Sequence, residues 1–350
     1  NTSSIIKLKM TATSEGNVYE TSASLAQYLD LHYPSSSPRS SSNQKKSYLP
    51  PHDNAPTHAL RFPQRVAALL NDLHLQKGRD TGSIIDTTST TTATSTDDAT
   101  ATAVLDMGCA VGGSSFELAR TFQHVDAFDY SEQFIKAANH MKGVAGASSP
   151  SSSSTDRDDK KRIDPLSFEI HMEGDIVEQM TVVHEPTTTS DIASRVRFFV
   201  GDACKLEEMM TQDDNKKDDD RRRHLLLRNR YDAILMSNLL CRLPDPFKCL
   251  NALPLLVKPG AVVLILTPYT WLTEFTPREK WLGGYYDDET SDGDDDDAKT
   301  SNKRIKVSSR DTLRQVMEGM GFTKIHEEQM PMLIREHQRK YQYCISEATG

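Results

Sequence analysis

Two kinds of hydrophobic pattern alternate along this chain. Short, predominantly apolar runs recur at 103–105, 125–129, 195–200, 231–237 and 261–266, and the early ones close on acidic residues. Runs of that length with no consistently polar face fit strands of a parallel sheet buried on both sides. Between them the spacing becomes helical. Phe116, Leu118 and Ala119 follow the first run, and Ser131 stands as an N-cap before Gln133 and Phe134. Phe247, Leu250, Leu253 and Leu256 mark one side of a helix over 246–257, and a helix over 310–319 is stopped by Gly319 and Gly321. The segments 322–329 and 339–345 read as a closing antiparallel pair, and 18–31 and 63–73 as helices ahead of the first strand. Five alternating β/α units and a terminal hairpin predict an α/β fold with a Rossmann-like sheet of seven strands, capped by an N-terminal helical lid.

The first strand runs into a small-residue turn, Asp106-Met107-Gly108-Cys109-Ala110-Val111-Gly112-Gly113, and then into a helix. Strand, glycine-rich loop and helix form the opening unit of nucleotide-binding α/β folds, the small residues letting a ligand lie against the backbone. A dinucleotide loop needs Gly-x-Gly-x-x-Gly, and its second glycine is Ala110 here. A loop for S-adenosylmethionine reads acidic-x-Gly-x-Gly-x-Gly, which Asp106, Gly108, Ala110 and Gly112 fit with one substitution. A carboxylate at the entrance suits a cationic sulfonium ligand and repels a pyrophosphate. Asp129, closing the second strand about 20 residues on, is placed to meet ribose hydroxyls. Asp202, after the third strand, is placed to accept the adenine amino group. Each aspartate alone reads equally well as a helix cap; three in the right order favour the methyl donor.

Composition then changes the picture of domain organisation. The chain has 350 residues, 26% charged and 37% hydrophobic, with a net charge of −9. The low apolar content has a local cause in five low-complexity stretches, near 35–47, 81–102, 147–162, 213–223 and 286–303. Such segments bury too little apolar surface to order themselves. They read as disordered insertions in the loops of one domain over 18–350, preceded by a disordered segment over 1–17. The acidity sits largely in Asp292 and Asp294 to Asp297, a solvated run that argues against nucleic acid as a partner. Five scattered cysteines read as reduced thiols of a cytoplasmic protein, and no apolar run reaches membrane-spanning length. The chain begins at Asn1 without an initiator Met, as a fragment of a longer polypeptide would, and its Ser/Thr-rich, basic start hints at a transit segment.

Substrate chemistry falls to the segments at the carboxyl edge of the sheet. Asn238 follows the fourth strand beside the donor loop as a further candidate to bind the donor, and Arg242 lies shortly after it. Tyr269, Trp271 and Trp281 could wall a planar substrate, while Arg242, Arg335 and Glu274 could hold the carboxylate and ammonium of an amino acid. The plainer alternative is that Tyr269 and Trp271 pack a loop and that Arg335 pairs with Glu336 or Glu328.

Six stretches carry a resemblance. They are Tyr19-Glu20-Thr21 with Tyr28-Leu29-x-x-His32-Tyr33, the loop Leu105 to Gly112, and Asn238-Leu239-Leu240-Cys241-Arg242-Leu243-Pro244-Asp245-Pro246. Thr267-Pro268-Tyr269-Thr270-Trp271-Leu272, Phe275-Thr276-Pro277-Arg278-Glu279 and Ile334-Arg335-Glu336-His337-x-Arg339-Lys340-Tyr341 complete them. Together they resemble the ovothiol-pathway 4-mercaptohistidine N1-methyltransferase, usually the C-terminal part of the 5-histidylcysteine sulfoxide synthase family, over nearly all of the non-repetitive chain. The resemblance implies a class I methyltransferase that uses S-adenosylmethionine to methylate an imidazole nitrogen of 5-thiohistidine, giving ovothiol A. Tyr19, Glu274 and His337 are the candidates for a base. The family's iron-dependent sulfoxide synthase half needs a His-x-x-x-His-x-Glu pattern. This chain lacks it, since His52 and His58 are wrongly spaced, so that half would be an upstream domain or a separate protein and no metal site is expected here. Three other readings stay open: a methyltransferase for another small amino acid or amine, a dinucleotide oxidoreductase, and a non-catalytic donor-binding module. A DNA amino-methyltransferase is excluded, because Ser237-Asn238-Leu239-Leu240 lacks the Asp/Asn-Pro-Pro-Tyr it would carry.

Overall fold

The computed structural model describes residues 18–33, 35–36, 55–80, 101–147, 163–184, 188–210, 226–288 and 304–350. The expected disordered segment 1–17 and most of the five low-complexity stretches lie outside the described residues.

The helices are α1 (Ser22–His32), α2 (Phe62–Asp80), α3 (Gly113–Leu118), α4 (Glu132–Ala147), α5 (Ser190–Ser194), α6 (Leu206–Met209), α7 (Pro246–Leu256) and α8 (Ser309–Gly319). The strands are β1 (Ser35–Ser36), β2 (Ala103–Met107), β3 (His124–Asp129), β4 (Ser167–Glu173), β5 (Ile176–Val182) and β6 (Val196–Val200). They continue with β7 (Tyr231–Ser237), β8 (Val257–Thr267), β9 (Tyr285–Asp288), β10 (Arg304–Val307), β11 (Glu327–His337) and β12 (Lys340–Thr349).

The main sheet has seven strands in the order β11-β12-β8-β7-β2-β3-β6. The five strands from β6 to β8 run parallel, and β12 and β11 close the edge antiparallel. From β2 the chain steps outward to β3 and β6, then returns to β7 on the other side of β2. That reversal opens a crevice outside the carboxyl ends of β2 and β7, where open α/β sheets bind ligands. Successive strand residues face opposite layers, as the period of two requires. Val104, Val125, Ala127, Leu235 and Leu264 join a core under α1 to α4. Leu105, Met107, Phe128, Ile234 and Ile265 join a second core under α6 to α8.

Local chemistry sets most element boundaries. The Asp245 side chain accepts the Lys248 N–H with Pro246 in the first turn, so α7 begins where a cap and a fixed φ coincide. Ser131 caps α4 by accepting the Phe134 N–H at 3.2 Å. Gly321, at φ +88°, terminates α8 in a conformation that few other residues tolerate. The helix expected over 18–31 begins later, because Thr21 accepts the Ser24 N–H at 3.1 Å and caps it there; Val18–Glu20 is a separate 3-10 turn.

One expectation needs correction, and two strand pairs are additions to the expected elements. The first strand of the closing hairpin lies five to eight residues further along than 322–329, and the second runs four residues past 345. The hairpin's register is fixed by β12 pairing with β8, Glu347 opposite Thr267 and Thr349 opposite Ile265, a long-range constraint that local pattern does not contain. Residues 331–337 are therefore strand rather than connecting loop. Residues 163–184 hold the hairpin β4–β5, which with β1 makes a small antiparallel sheet in the order β1-β5-β4 beside the lid helix. The acidic stretch 286–303 is flanked by a strand pair, β9 with β10. Among the described residues, no helix is long and apolar enough to cross a membrane.

Candidate active site

The donor loop is held by its own amides. The N–H groups of Gly108 and Cys109 both donate to Phe128 O, at 2.9 and 3.0 Å, which ties the loop to the end of β3. Gly108, Ala110 and Gly112 take φ of +75°, +47° and +88°, a left-handed residue at every second position. Ala110 adopts this at a cost of about 1–2 kcal/mol that glycine would not carry. Among the described residues, Ala110, Asn238 and Tyr269 are three of five non-glycine residues with positive φ, and all three follow carboxyl ends of the central strands. Strained backbone gathers at binding sites, and Ala110 and Asn238 place it at the crevice.

Asp129 closes β3 with both carboxylate oxygens engaged, accepting the N–H of Ala110 and of Ser131 at 2.9 Å each. Asp106 lies one layer deeper under α3, its Oδ2 accepting from Ser114 Oγ at 2.8 Å and Ser115 Oγ at 2.7 Å. Burial pushes both carboxyls up to about 6; hydrogen bonds from the serines and backbone oppose this, and Asp129 adds repulsion at Asp106. Two adjacent carboxylates held in this way, with no cation among the causes that shift them, are a set that a sulfonium and ammonium ligand would neutralise. The residues thus fit S-adenosylmethionine.

Asp202 is an N-cap: its Oδ1 accepts the Cys204 N–H at 2.8 Å, and Lys205 stands 3.9 Å away. The plainer reading accounts for these contacts. Asn238 takes φ +54°, its Oδ1 accepting from Ser346 Oγ at 2.7 Å and its Nδ2 reaching Met332 Sδ at 3.6 Å. The closing hairpin thereby fixes the residue that turns out of β7 beside the donor loop.

The second half of the crevice is aromatic, and α1 brings it. Tyr19 stands with its ring centroid 6.2 Å from Tyr28, 6.1 Å from Phe134 and 6.0 Å from Phe275. Tyr28 packs on Phe134 at 4.8 Å. The Arg242 guanidinium lies 5.0 Å over the Phe275 ring and donates to the carbonyls of Cys241 and Thr270, each at 2.9 Å. It also hydrogen-bonds the Tyr19 hydroxyl, whose ionisation burial raises and Arg242 lowers, with a net rise above the ordinary tyrosine value. Tyr19 stays protonated at neutral pH. It can orient a ligand but is a poor general base.

The other expected site residues go elsewhere. Trp271 is buried in the second core, donating from Nε1 to Ser309 Oγ at 2.8 Å and stacking on Trp281 with centroids 6.4 Å apart. Tyr269 packs in that same core with its hydroxyl buried. The loop after β8 straddles the two layers and offers Phe275 to the crevice in place of Trp271. Arg335 reaches across to the lid helix. Its Nε and Nη2 grip both oxygens of Asp30 in α1, at 2.7 and 2.6 Å, in a pair only 5% and 2% exposed. A guanidinium so engaged is not free to hold a substrate carboxylate. Glu274 is exposed on its loop, and His337 sits at the hairpin turn, where its Nδ1 accepts the Arg339 N–H at 3.2 Å.

The methyltransferase domain family matches residues 83–327, well over half of the chain. The chain belongs to this family. Solved structures similar to the methyltransferase include an S-adenosylmethionine-dependent methyltransferase from Aquifex aeolicus, 14% identical, covering 71% of this chain and 81% of that one with a TM-score of 0.33. A second, from Methanosarcina mazei, is 15% identical and covers 71% and 91%, with a TM-score of 0.35. A third, phosphoethanolamine N-methyltransferase 2 of Haemonchus contortus with S-adenosylhomocysteine bound, is 14% identical and covers 66% and 35%, with a TM-score of 0.32. No curated protein matches the chain. The methyltransferase is a class I enzyme that uses S-adenosylmethionine, with the seven-stranded sheet of that class.

Proposed function

We propose that this methyltransferase methylates an imidazole nitrogen of 5-thiohistidine, forming ovothiol A. The observation that carries the reading is the cluster of Tyr19, Tyr28, Phe134 and Phe275 around the Arg242 guanidinium, beside Asp129. It offers flat apolar faces and one fixed cation, which suits a planar ring bearing a carboxylate. The stretches that resemble the thiohistidine methyltransferases support it too: residues 19–33, 105–112, 238–246 and 275 are distant in sequence and meet at this edge.

S-adenosylmethionine supplies an electrophilic methyl carbon on a sulfonium sulfur. Asp129 and Asp106 give the crevice the negative potential that favours such a cation. Tyr28, Phe134 and Phe275 exclude water and confine a ring. Arg242, pinned by the Cys241 and Thr270 carbonyls, keeps its charge in one place, so a bound carboxylate orients the ring against the donor. A neutral imidazole nitrogen carries its own lone pair, so proximity and orientation provide most of the rate, and the chain needs no strong base for the attack. The proton of the methylated ring leaves to solvent.

The test is incubation of the purified chain with S-adenosylmethionine and 5-thiohistidine, with histidine as control, read by mass spectrometry. One added methyl on the thiolated compound alone is the expected result. Transfer to another amine, or donor binding without transfer to either compound, would overturn the substrate assignment.

A further inference from the structure

His32, the last residue of α1, and Tyr33, which caps it, make contacts that the donor chemistry alone does not require. His32 Nδ1 accepts the N–H of Gly113 at 3.1 Å, in a buried contact between residues 81 positions apart. The next residue, Tyr33, donates from its hydroxyl to Val111 O at 2.5 Å. The two bonds bracket Gly112, the most left-handed residue of the donor loop. The approach is too close for a side chain at Gly113, where a Cβ would stand 2.8 Å from His32 O and 2.9 Å from its Nδ1. His32 is itself anchored, since its carbonyl accepts from Gln64 Nε2 of α2 at 2.7 Å.

From this geometry we infer that His32 and Tyr33 are positioning residues for the methyl donor: the end of α1 holds the Val111–Gly113 backbone in the conformation the donor meets. Asp129 secures the Ala110 amide from one side and the α1 pair secures the rest from the other, so the loop is set before the ligand arrives. A loop set beforehand loses less entropy on binding, and that advantage is read directly in affinity. Among the described residues, the rings of Tyr28 and Tyr33 and the Gly113 amide of α3 face the His32 ring, and none of the three is charged. Burial holds the ring neutral, down to about 3, so its Nδ1 remains an acceptor throughout the physiological range. The inference rests on donor use and is independent of which acceptor the enzyme methylates.

The experiment is calorimetric titration of the full chain with S-adenosylhomocysteine, for H32A, H32Q, H32N and Y33F. Asn can place its oxygen where Nδ1 lies, and Gln cannot. The expected result is a Kd raised about tenfold in H32A and H32Q, within about threefold of wild type in H32N, and raised by about threefold to tenfold in Y33F. Circular dichroism melts without ligand show which variants are folded. Y33F, which deletes one hydroxyl and keeps the ring, keeps the test open if the His32 variants unfold. Unchanged Kd in folded H32Q and Y33F, or equal loss in H32Q and H32N, overturns the inference.

Discussion

The buried pair between Asp30 and Arg335 ties the lid helix to the closing hairpin across 305 positions of sequence, and its energetics can be worked from its exposure. With side chains 5% and 2% exposed, neither charge keeps appreciable contact with water. Removing one partner strands the other, which costs about 3–5 kcal/mol. Removing both and filling the space with apolar side chains avoids that penalty and costs little by comparison. Arg335→Met and Asp30→Leu are therefore each expected to lower stability by about 3 kcal/mol or more, and the double variant to recover to within about 1.5 kcal/mol of wild type. Urea denaturation of the four proteins at one pH gives the cycle directly, provided m is constant across the set. Single variants within about 1 kcal/mol of wild type would refute the reasoning, as would a double variant whose loss equals the sum of the two. A normal stability with a greatly raised substrate KM in R335M would instead return Arg335 to the substrate. Tyr341, which hydrogen-bonds Arg335, should follow the pair, so Y341F is expected to cost about 1 kcal/mol.

Two positions in the donor loop should answer oppositely to small changes. Gly112→Ala places a Cβ 2.5 Å from Phe198 Cζ at φ +88° and is expected to cost at least about 2 kcal/mol by urea denaturation. Ala110→Gly relieves left-handed strain and should stay within about 1 kcal/mol of wild type, since lost methyl burial and added unfolded-state freedom offset the gain. The pH dependence carries two signs. His32 is driven down from 6.5 to about 3, so the unfolded chain binds the extra proton in that window, and stability falls as pH drops through it by about 1.4 kcal/mol per unit. Asp106 is raised from 3.8 to about 6, so the folded chain binds the extra proton there and stability falls as pH rises. H32N removes the first contribution alone. Its stability relative to wild type should improve steadily below pH 6, and a constant difference would contradict the assignment. Donor affinity should weaken as pH falls through about 6, where Asp106 and Asp129 take up protons and lose their attraction for a cation; calorimetry showing a flat profile between pH 5 and 7.5 would count against them.

The parallel core of the sheet, the donor loop and the caps that start α4 and α7 are legible from short stretches of chain. Those features are local: a run of apolar residues, a glycine pattern, or a side chain reaching three residues ahead is complete within a short window of chain. Even the aspartate at the end of β3 was legible, since strand length and loop length fix its place. Contacts between segments far apart are settled by packing instead. Trp271 and Phe275 are four residues apart in one loop, and nothing in that loop says which faces the crevice; Ser309 captures one and Tyr19 the other. The partner of Arg335 lies in α1 and that of His32, Gly113, is 81 positions away, so no short window of sequence contains either contact. The placement of β11 and β12 likewise depends on β8, to which β12 pairs. Packing resolves such choices through burial, which makes an unmatched charge or an unsatisfied amide costly, and burial belongs to the folded chain as a whole.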